Sequence, residues 1–315
     1  MNHALIQPFV LKTYGLSIQS LDPITNEMFR CTASEGVFYL RISQYKTLLE
    51  QQAELSWIHY LSAANVGVPH VVPSTMNQLV VPFPDAPSYA VVLFHSAPGI
   101  HLPRNQWDAS VFYALGKQIG RMHEASRTYL ASESSPIQHW YESIEYQFLE
   151  HIPVQETTVR SIAKQLLDEV QAIPQHCSNY GIIHGDLWLE NILVQQHSDN
   201  LQVTMIDFQD CEQHYYVKDL VVPIYSAMEY SFYGGQNIRD YVRDITDSLL
   251  KGYQLETSLS DETLAQIPTF FRLKEMFEYS LMHMYNDIET MDDEQFRLLN
   301  LYRMRIEYRT NDTFL

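Results

Sequence analysis

The sequence predicts an α+β protein: an N-terminal antiparallel sheet with a helix, followed by a larger, mostly helical part that carries one β-hairpin. Three observations predict it. Short β-branched segments separated by turn residues crowd the first 95 residues. Helical periodicity dominates after Gly99. The exception is Ile192 to Gln196 and Leu201 to Ile206, which flank the turn-rich His197-Ser198-Asp199-Asn200. With 315 residues, 46% of them hydrophobic, the chain can fill two sizeable cores or one large domain in two lobes.

Ala4 to Tyr14 reads as a short helix stopped at Gly15. Ser17 to Leu21 and Met28 to Ala33 read as strands around the turn Asp22 to Glu27, and Val37 to Ile42 as a third strand carrying Arg41. Thr47 to Ala64 is helical, with Leu48, Leu55, Ile58 and Leu61 or Ser62 along one side and Asn65 and Gly67 as its stop. Gln78 to Val81 and Tyr89 to Phe94 read as a hairpin around a proline-rich turn. Ala109 to Ser126 is an amphipathic core helix in which His123 is a structural residue. Trp140 to Leu149, Thr157 to Ile173, Ile238 to Tyr253, Thr263 to Ile288 and Asp293 to Tyr308 are further helix candidates.

The chemistry concentrates in Ile182-Ile183-His184-Gly185-Asp186-Leu187-Trp188-Leu189-Glu190-Asn191, answered by Met205-Ile206-Asp207-Phe208. If residues 197–200 close a hairpin, paired positions sum to about 397, which puts Asn191 opposite residue 206 or 207. Asn191 and Asp207 then meet at the open end, two oxygen ligands for a hard divalent cation, beside an Asp186 carboxylate able to take a proton. The alternative is a hairpin with ordinary polar ends. The spacing His-x-Asp-Leu-x-x-x-Asn, then a strand ending in Asp-Phe, matches the kinase catalytic loop.

The wording His184-Gly185-Asp186-Leu187, with Gly where protein kinases have Arg, resembles the aminoglycoside phosphotransferase family and its choline kinase-like relatives. The resemblance covers nearly the whole chain. It implies a two-lobed protein-kinase-like fold, with an ATP-binding lobe over 1–95, a catalytic and acceptor-binding lobe over 96–315, and ATP between them. It implies that Asp186 orients the acceptor hydroxyl and takes its proton, while Asn191 and Asp207 hold magnesium on the nucleotide phosphates. Arg41 takes the place of the phosphate-binding strand Lys, and Glu54, or alternatively Glu50, is its helix-borne partner. A surface Arg on an edge strand is the competing view. The turn at Asn26 would lie over the phosphates, although it lacks glycine and an ordinary β-turn reads equally well. The backbone from Phe94 to Ser96 would meet adenine. Asp219 would brace the loop of His184 through backbone amides, with a helix N-cap as the alternative.

Between Asp207 and Asp219 there is no room for a long activation segment, and no Ala-Pro-Glu follows. The expectation is therefore an ATP- and magnesium-dependent phosphotransferase acting on a hydroxyl of a small polar or cationic acceptor. A stress-response-type Ser/Thr kinase and a nucleotide-binding pseudokinase are the alternatives, the latter kept open by Arg41 and the glycine-free turn. Asp210, Glu212, Glu229 and Tyr230, with Tyr215, Tyr216, Tyr225, Phe232 and Tyr233, are candidates for an ammonium-binding pocket. Aromatic residues at helical spacing read equally as core.

The net charge of −18 argues against a nucleic-acid partner held through phosphates. Nearly all of the acidic excess lies after residue 95. No run of some 18 apolar residues and no signal-peptide pattern is visible, so no membrane partner is expected. Cys31, Cys177 and Cys211 are odd in number and lack metal-type spacing, which fits reduced thiols in a cytoplasmic protein.

Overall fold

A computed structural model of the chain describes residues 5–129, 137–196, 200–231 and 238–308. In chain order the elements are α1 (Ile6–Tyr14), β1 (Ile18–Pro23), β2 (Met28–Ala33), β3 (Gly36–Ser43), α2 (Leu48–Ala63), β4 (Val71–Val72), β5 (Val81–Phe83) and β6 (Ala86–His95). They continue with α3 (Ala109–Thr128), α4 (Phe148–His151), α5 (Thr157–Gln171), β7 (Tyr180–Ile183), β8 (Ile192–Gln196), β9 (Leu201–Met205) and β10 (Glu212–Tyr215). Four helices close the chain: α6 (Val217–Ser231), α7 (Ile238–Gln254), α8 (Asp261–Tyr285) and α9 (Asp293–Tyr308). The elements form two compact units, residues 1–101, 128–137 and 190–211 in the first and the remainder in the second.

The first unit is built on an antiparallel sheet in the order β1-β2-β3-β6-β4, with β5 also on β6. β6 is central, and its run Ala90 to Phe94 is buried throughout, as a strand covered on both faces must be. α1 packs Ile6, Phe9 and Val10 into a cluster with Phe29, Leu40, Ile42, Phe83, Val91 and Leu93. It ends where expected, at Gly15 in the left-handed region (φ 72°). Thr47 caps α2, accepting from the Glu50 amide while the Glu50 carboxylate takes the Thr47 amide, a capping box. Asn65, at φ 60°, turns the chain out of that helix.

Three sequence readings change here. Leu48 is one-third exposed, and the inner face of α2 consists of Gln51, Glu54, Leu55, Trp57, Ile58 and Leu61. β3 is interior to the sheet, with Arg41 opposite Met28 on one side and Val92 on the other, so Arg41 is not on an edge strand. The hairpin expected from Gln78 to Val81 and Tyr89 to Phe94 is shifted, with the first strand at Val81–Phe83, the second starting already at Ala86, and a shorter turn between them.

The second unit is mostly helical. α3 and α7 cross so closely that a Cβ on Gly116 would lie 2.0 Å from the Leu249 carbonyl oxygen, and one on Gly252 2.0 Å from that of Tyr113. Only glycine fits at either crossing point. The stretch expected as a helix over 140–149 is instead two 3₁₀ turns, Trp140–Glu142 and Ile144–Tyr146, followed by α4. β10, unforeseen from the sequence, pairs antiparallel with β7, Glu212 opposite Ile183. Tyr215, Tyr216 and Tyr225 are core residues, each no more than 2% exposed, and do not line an open pocket. Phe232 and Tyr233 lie outside the described residues, as does the side chain of Tyr230. Among the described residues no helix is long and apolar enough to cross a membrane.

Among the described residues of this unit His123, His184 and His214 are fully buried, and two of them have lowered pKa values. His214 stacks on Trp140 with ring centroids 4.9 Å apart, and burial together with the nearby Lys218 holds its pKa well below the ordinary value. Burial also lowers that of His123, against the opposing pull of Asp219. Both rings therefore take up a proton at lower pH in the folded chain than in the unfolded one, where a histidine titrates near about pH 6.5. As pH falls through that value the unfolded state binds more protons, so stability falls as pH drops. Urea midpoints measured from pH 7.5 down to 5.5 should decline accordingly, and a flat profile would show that these rings take protons inside the fold.

Candidate active site

The catalytic-loop sequence is fixed from below in the second unit. β7 delivers Ile182 and Ile183 into the core, and Gly185, at φ 85°, lets the chain turn so that two successive amides point the same way. Asp219, in the first turn of α6, receives both: the His184 amide on Oδ2 at 2.8 Å and the Gly185 amide on Oδ1 at 3.0 Å. Asp219 is thus not a simple helix cap. Its carboxylate is fully buried, which alone would raise its pKa, yet hydrogen bonds from His123 and the His184 amide hold it low and ionised. His123 Nε2 lies 3.2 Å from Asp219 Oδ2, and its Nδ1 is 3.0 Å from the Tyr253 hydroxyl. His123 is therefore a structural residue with a defined task, fixing the residue that fixes the loop.

Asp186 follows on this loop, with its side chain about one-third exposed. Farther on, the Leu189 amide donates to Ser226 Oγ at 3.2 Å. The chain then enters the first unit through a 3₁₀ turn at Leu189–Asn191.

There β8 and β9 pair in the expected register, from Ile192 opposite Met205 to Gln196 opposite Leu201, each pair summing to 397. The intervening residues 197–199 lie outside the described ones. At the open end the Ile206 amide donates to the Asn191 carbonyl at 2.8 Å, tying the backbone of Asn191 to the residue before Asp207. Asp207 adopts the left-handed conformation (φ 63°, ψ 69°), uncommon for a residue with a side chain and better tolerated by Asp than by most. Phe208 next to it is fully buried, edge-on to Trp57 of α2 with centroids 5.5 Å apart. The exposed carboxylate of Asp207 is thus held by a neighbour that cannot leave the core.

Arg41 and Glu54 form a forked pair, with guanidinium nitrogens 2.8 Å from each carboxylate oxygen. Both side chains are nearly sealed off, 3% and 2% exposed. Gln51 accepts a further contact at 3.3 Å, a partner the sequence reading missed. Burial works against the charge on Arg41, but Glu54 and then Asp207 outweigh it and keep the proton in place. Glu50, the other candidate partner, is occupied in the α2 cap.

In the turn over 24–27, the amides of Ile24 and Thr25 reach the Met28 carbonyl, and those of Glu27 and Met28 reach Thr25 Oγ1. The Asn26 amide has no hydrogen-bond acceptor among the described residues. Phe94 is buried under the Arg41 guanidinium, 5.6 Å from it. The amides of His95 and Ser96 are engaged, donating to His70 and Val37. Each acidic candidate is engaged by a partner within its own unit. Asp210 accepts from the Tyr45 hydroxyl at 2.9 Å in the first unit. In the second, Glu212 pairs with Lys218 and Tyr146, and Glu229 pairs with Arg305. Burial raises the pKa of Glu229 despite that arginine.

Asn191 and Asp207 suit a magnesium–nucleotide complex. Both offer hard oxygen donors, and among the described residues no group of three or more His, Cys, Asp or Glu forms a self-sufficient metal cage. Magnesium is commonly held by one or two protein oxygens, with phosphates and water completing the shell.

An antiparallel sheet with a buried Arg–Glu pair, a braced His-Gly-Asp loop and a hairpin ending in Asp-Phe define a protein-kinase-like phosphotransferase. The phosphotransferase enzyme family matches residues 20–248, and the chain belongs to it. The amicoumacin kinase of Bacillus subtilis (strain 168) is 26% identical over 94% of this chain and 90% of its own. The solved amicoumacin kinase hAmiN, in complex with AMP-PNP, Ca2+ and Ami, superposes with a TM-score of 0.89 at 25% identity, covering 98% of this chain and 94% of that one. A microcompartment-associated aminopropanol kinase shares the fold at a TM-score of 0.78 and 21% identity, over 99% and 98% of the two chains. The spectinomycin phosphotransferase APH(9)-Ia shares it at 0.61 and 14%, over 96% and 94%. The relatives are small-molecule kinases, and the protein kinase and pseudokinase readings are not favoured.

Proposed function

We propose that this phosphotransferase transfers the γ-phosphate of ATP, bound with magnesium, to a hydroxyl of a small polar or cationic acceptor in the cytoplasm. One observation carries the reading: the path from His184 to Asp207 is pinned at both ends, by Asp219 on the loop amides and by the Asn191–Ile206 bond at the hairpin mouth. When bound, the nucleotide and its metal supply the phosphoryl group and neutralise its charge. The chain's own residues do the rest. Asp186 orients the acceptor hydroxyl and takes its proton. Asn191 and Asp207 present oxygens to the metal. Arg41, held by Glu54, faces the phosphates, and the Asn26 amide donates to them. Adenine lies along Phe94 to Ser96, met by groups other than the engaged His95 and Ser96 amides.

The two amicoumacin kinases and the aminopropanol kinase make amine-bearing alcohols the first acceptors to test. Purified chain is incubated with ATP, magnesium and, one at a time, amicoumacin, aminopropanol, spectinomycin and a panel of hydroxylated metabolites, and ADP release is followed. Acceptor-dependent release is expected. Its absence across the panel, with ATP binding intact, would favour a role in binding alone. A companion measurement addresses the metal. ATP with magnesium should raise the melting temperature by mass action, and Asp207→Ala should lose the magnesium-dependent part. An undiminished shift in that variant would remove Asp207 from the metal site.

A further inference from the structure

The loop from His184 to Asn191 contains no lysine or arginine, yet a cation stands beside its aspartate. It comes from α8 in the same unit. Lys274 Nζ is 3.9 Å from Asp186 Oδ1, and the lysine side chain is only 3% exposed. Its ammonium lies 4.9 Å from the Trp188 ring centroid and 5.3 Å from that of Phe277. Glu278, one turn along α8, holds it at 2.5 Å. The ammonium is thus walled by two aromatic faces, where charge interactions are screened less than in water.

We propose that Lys274 is a positioning residue for phosphotransfer, holding the Asp186 carboxylate and the Trp188 end of the same loop in one arrangement. The proposal rests on the reading of Asp186 as the group that receives the acceptor proton. Asp219 grips the loop before Asp186 and Ser226 grips it after, both through backbone amides. Neither of those contacts restricts the Asp186 side chain. Lys274 approaches one of its oxygens directly, and through Trp188 it touches the residue two positions on. Trp188 is itself set edge-on to Tyr225, with centroids 6.1 Å apart, so the cation sits against a fixed wall. Glu278 fixes the ammonium from the other side, as an i,i+4 pair on its own helix. A carboxylate held by a positioned charge spends less time in unproductive rotamers, and misplacement of a reacting group by about 1 Å can cost on the order of 10²-fold in rate.

The test uses the full chain with ATP, magnesium and amicoumacin, or aminopropanol or spectinomycin if amicoumacin is not phosphorylated. Lys274→Gln keeps a donor for Glu278 but removes the charge. Its kcat is expected to fall about 10-fold to 10²-fold, with KM for ATP within about twofold of wild type. Lys274→Arg, which keeps the charge, should recover most of the loss. In an Asp186→Asn background Lys274→Gln should add little, because residues acting as a unit are non-additive. Wild-type kcat in Lys274→Gln overturns the proposal, as does an equal further loss in the Asp186→Asn background. Should Lys274→Gln not fold, Lys274→Met keeps the stem against Trp188 and Phe277 and carries the same comparison. Wild-type turnover in Asp186→Asn alone would overturn the reading of Asp186 itself, which is a separate outcome.

Discussion

Asp186→Asn is expected to lower acceptor-dependent turnover by about 10²-fold to 10⁴-fold, the usual scale for losing a positioned general base. The substitution keeps the shape of the side chain and much of its hydrogen bonding, but an amide cannot take the acceptor proton as the bond to phosphorus forms. The loop backbone has little reason to respond, because the substitution leaves in place the His184, Gly185 and Leu189 amide bonds that anchor it. Binding of ATP with magnesium should also persist, since Asn191 and Asp207 are untouched. The expected signature is therefore a fall in kcat with little change in KM for ATP. Comparing ADP release with and without acceptor in the two proteins checks it. Equal turnover, once contaminating kinases are excluded, would take Asp186 out of the catalytic role.

The parts legible in the sequence are those whose geometry is local. A four-residue turn between two strands sets a register, and the pairs that sum to 397 follow from counting alone. Gly15 and Asn65 stop helices because few other residues accept the left-handed region. The family resemblance supplied Glu54 as the Arg41 partner and Asp219 as the loop brace, neither of which spacing could have provided. What escaped reading depends on distant partners. β10 has four residues, ending in His214 and Tyr215, and becomes a strand only because β7 lies beside it. Residues 140–149 carry helical spacing, but their aromatic side chains are drawn into a cluster, Trp140 on His214 and Tyr146 on Phe277, that a continuous helix would not serve. Lys274 is one charged residue on a long helix, 88 positions after Asp186, and no local pattern marks it. Glu212 and Glu229 looked available for a cationic ligand because their partners Lys218 and Arg305 are invisible until α6 and α9 fold.

Arg41 is where stability and function separate, and its variants should show it. Arg41→Ala is expected to destabilise the chain by about 3–5 kcal/mol, because it leaves the Glu54 carboxylate buried and uncompensated. That exceeds what a surface arginine would cost, and it means that weakened ATP binding in Arg41→Ala cannot by itself be assigned to lost phosphate contacts. Arg41→Lys keeps a cation, but a single ammonium cannot reproduce the fork to both Glu54 oxygens and the contact to Gln51, so partial stability is expected. The informative variant is the double replacement Arg41→Met with Glu54→Leu. Apolar residues of similar volume in place of a buried ion pair are often neutral or stabilising, so its urea midpoint should return close to wild type. Its magnesium-dependent ATP shift in melting temperature should remain small, because the cation near Asp207 is gone. Recovery of both stability and the ATP shift in the double variant would show that the pair serves only to join β3 to α2.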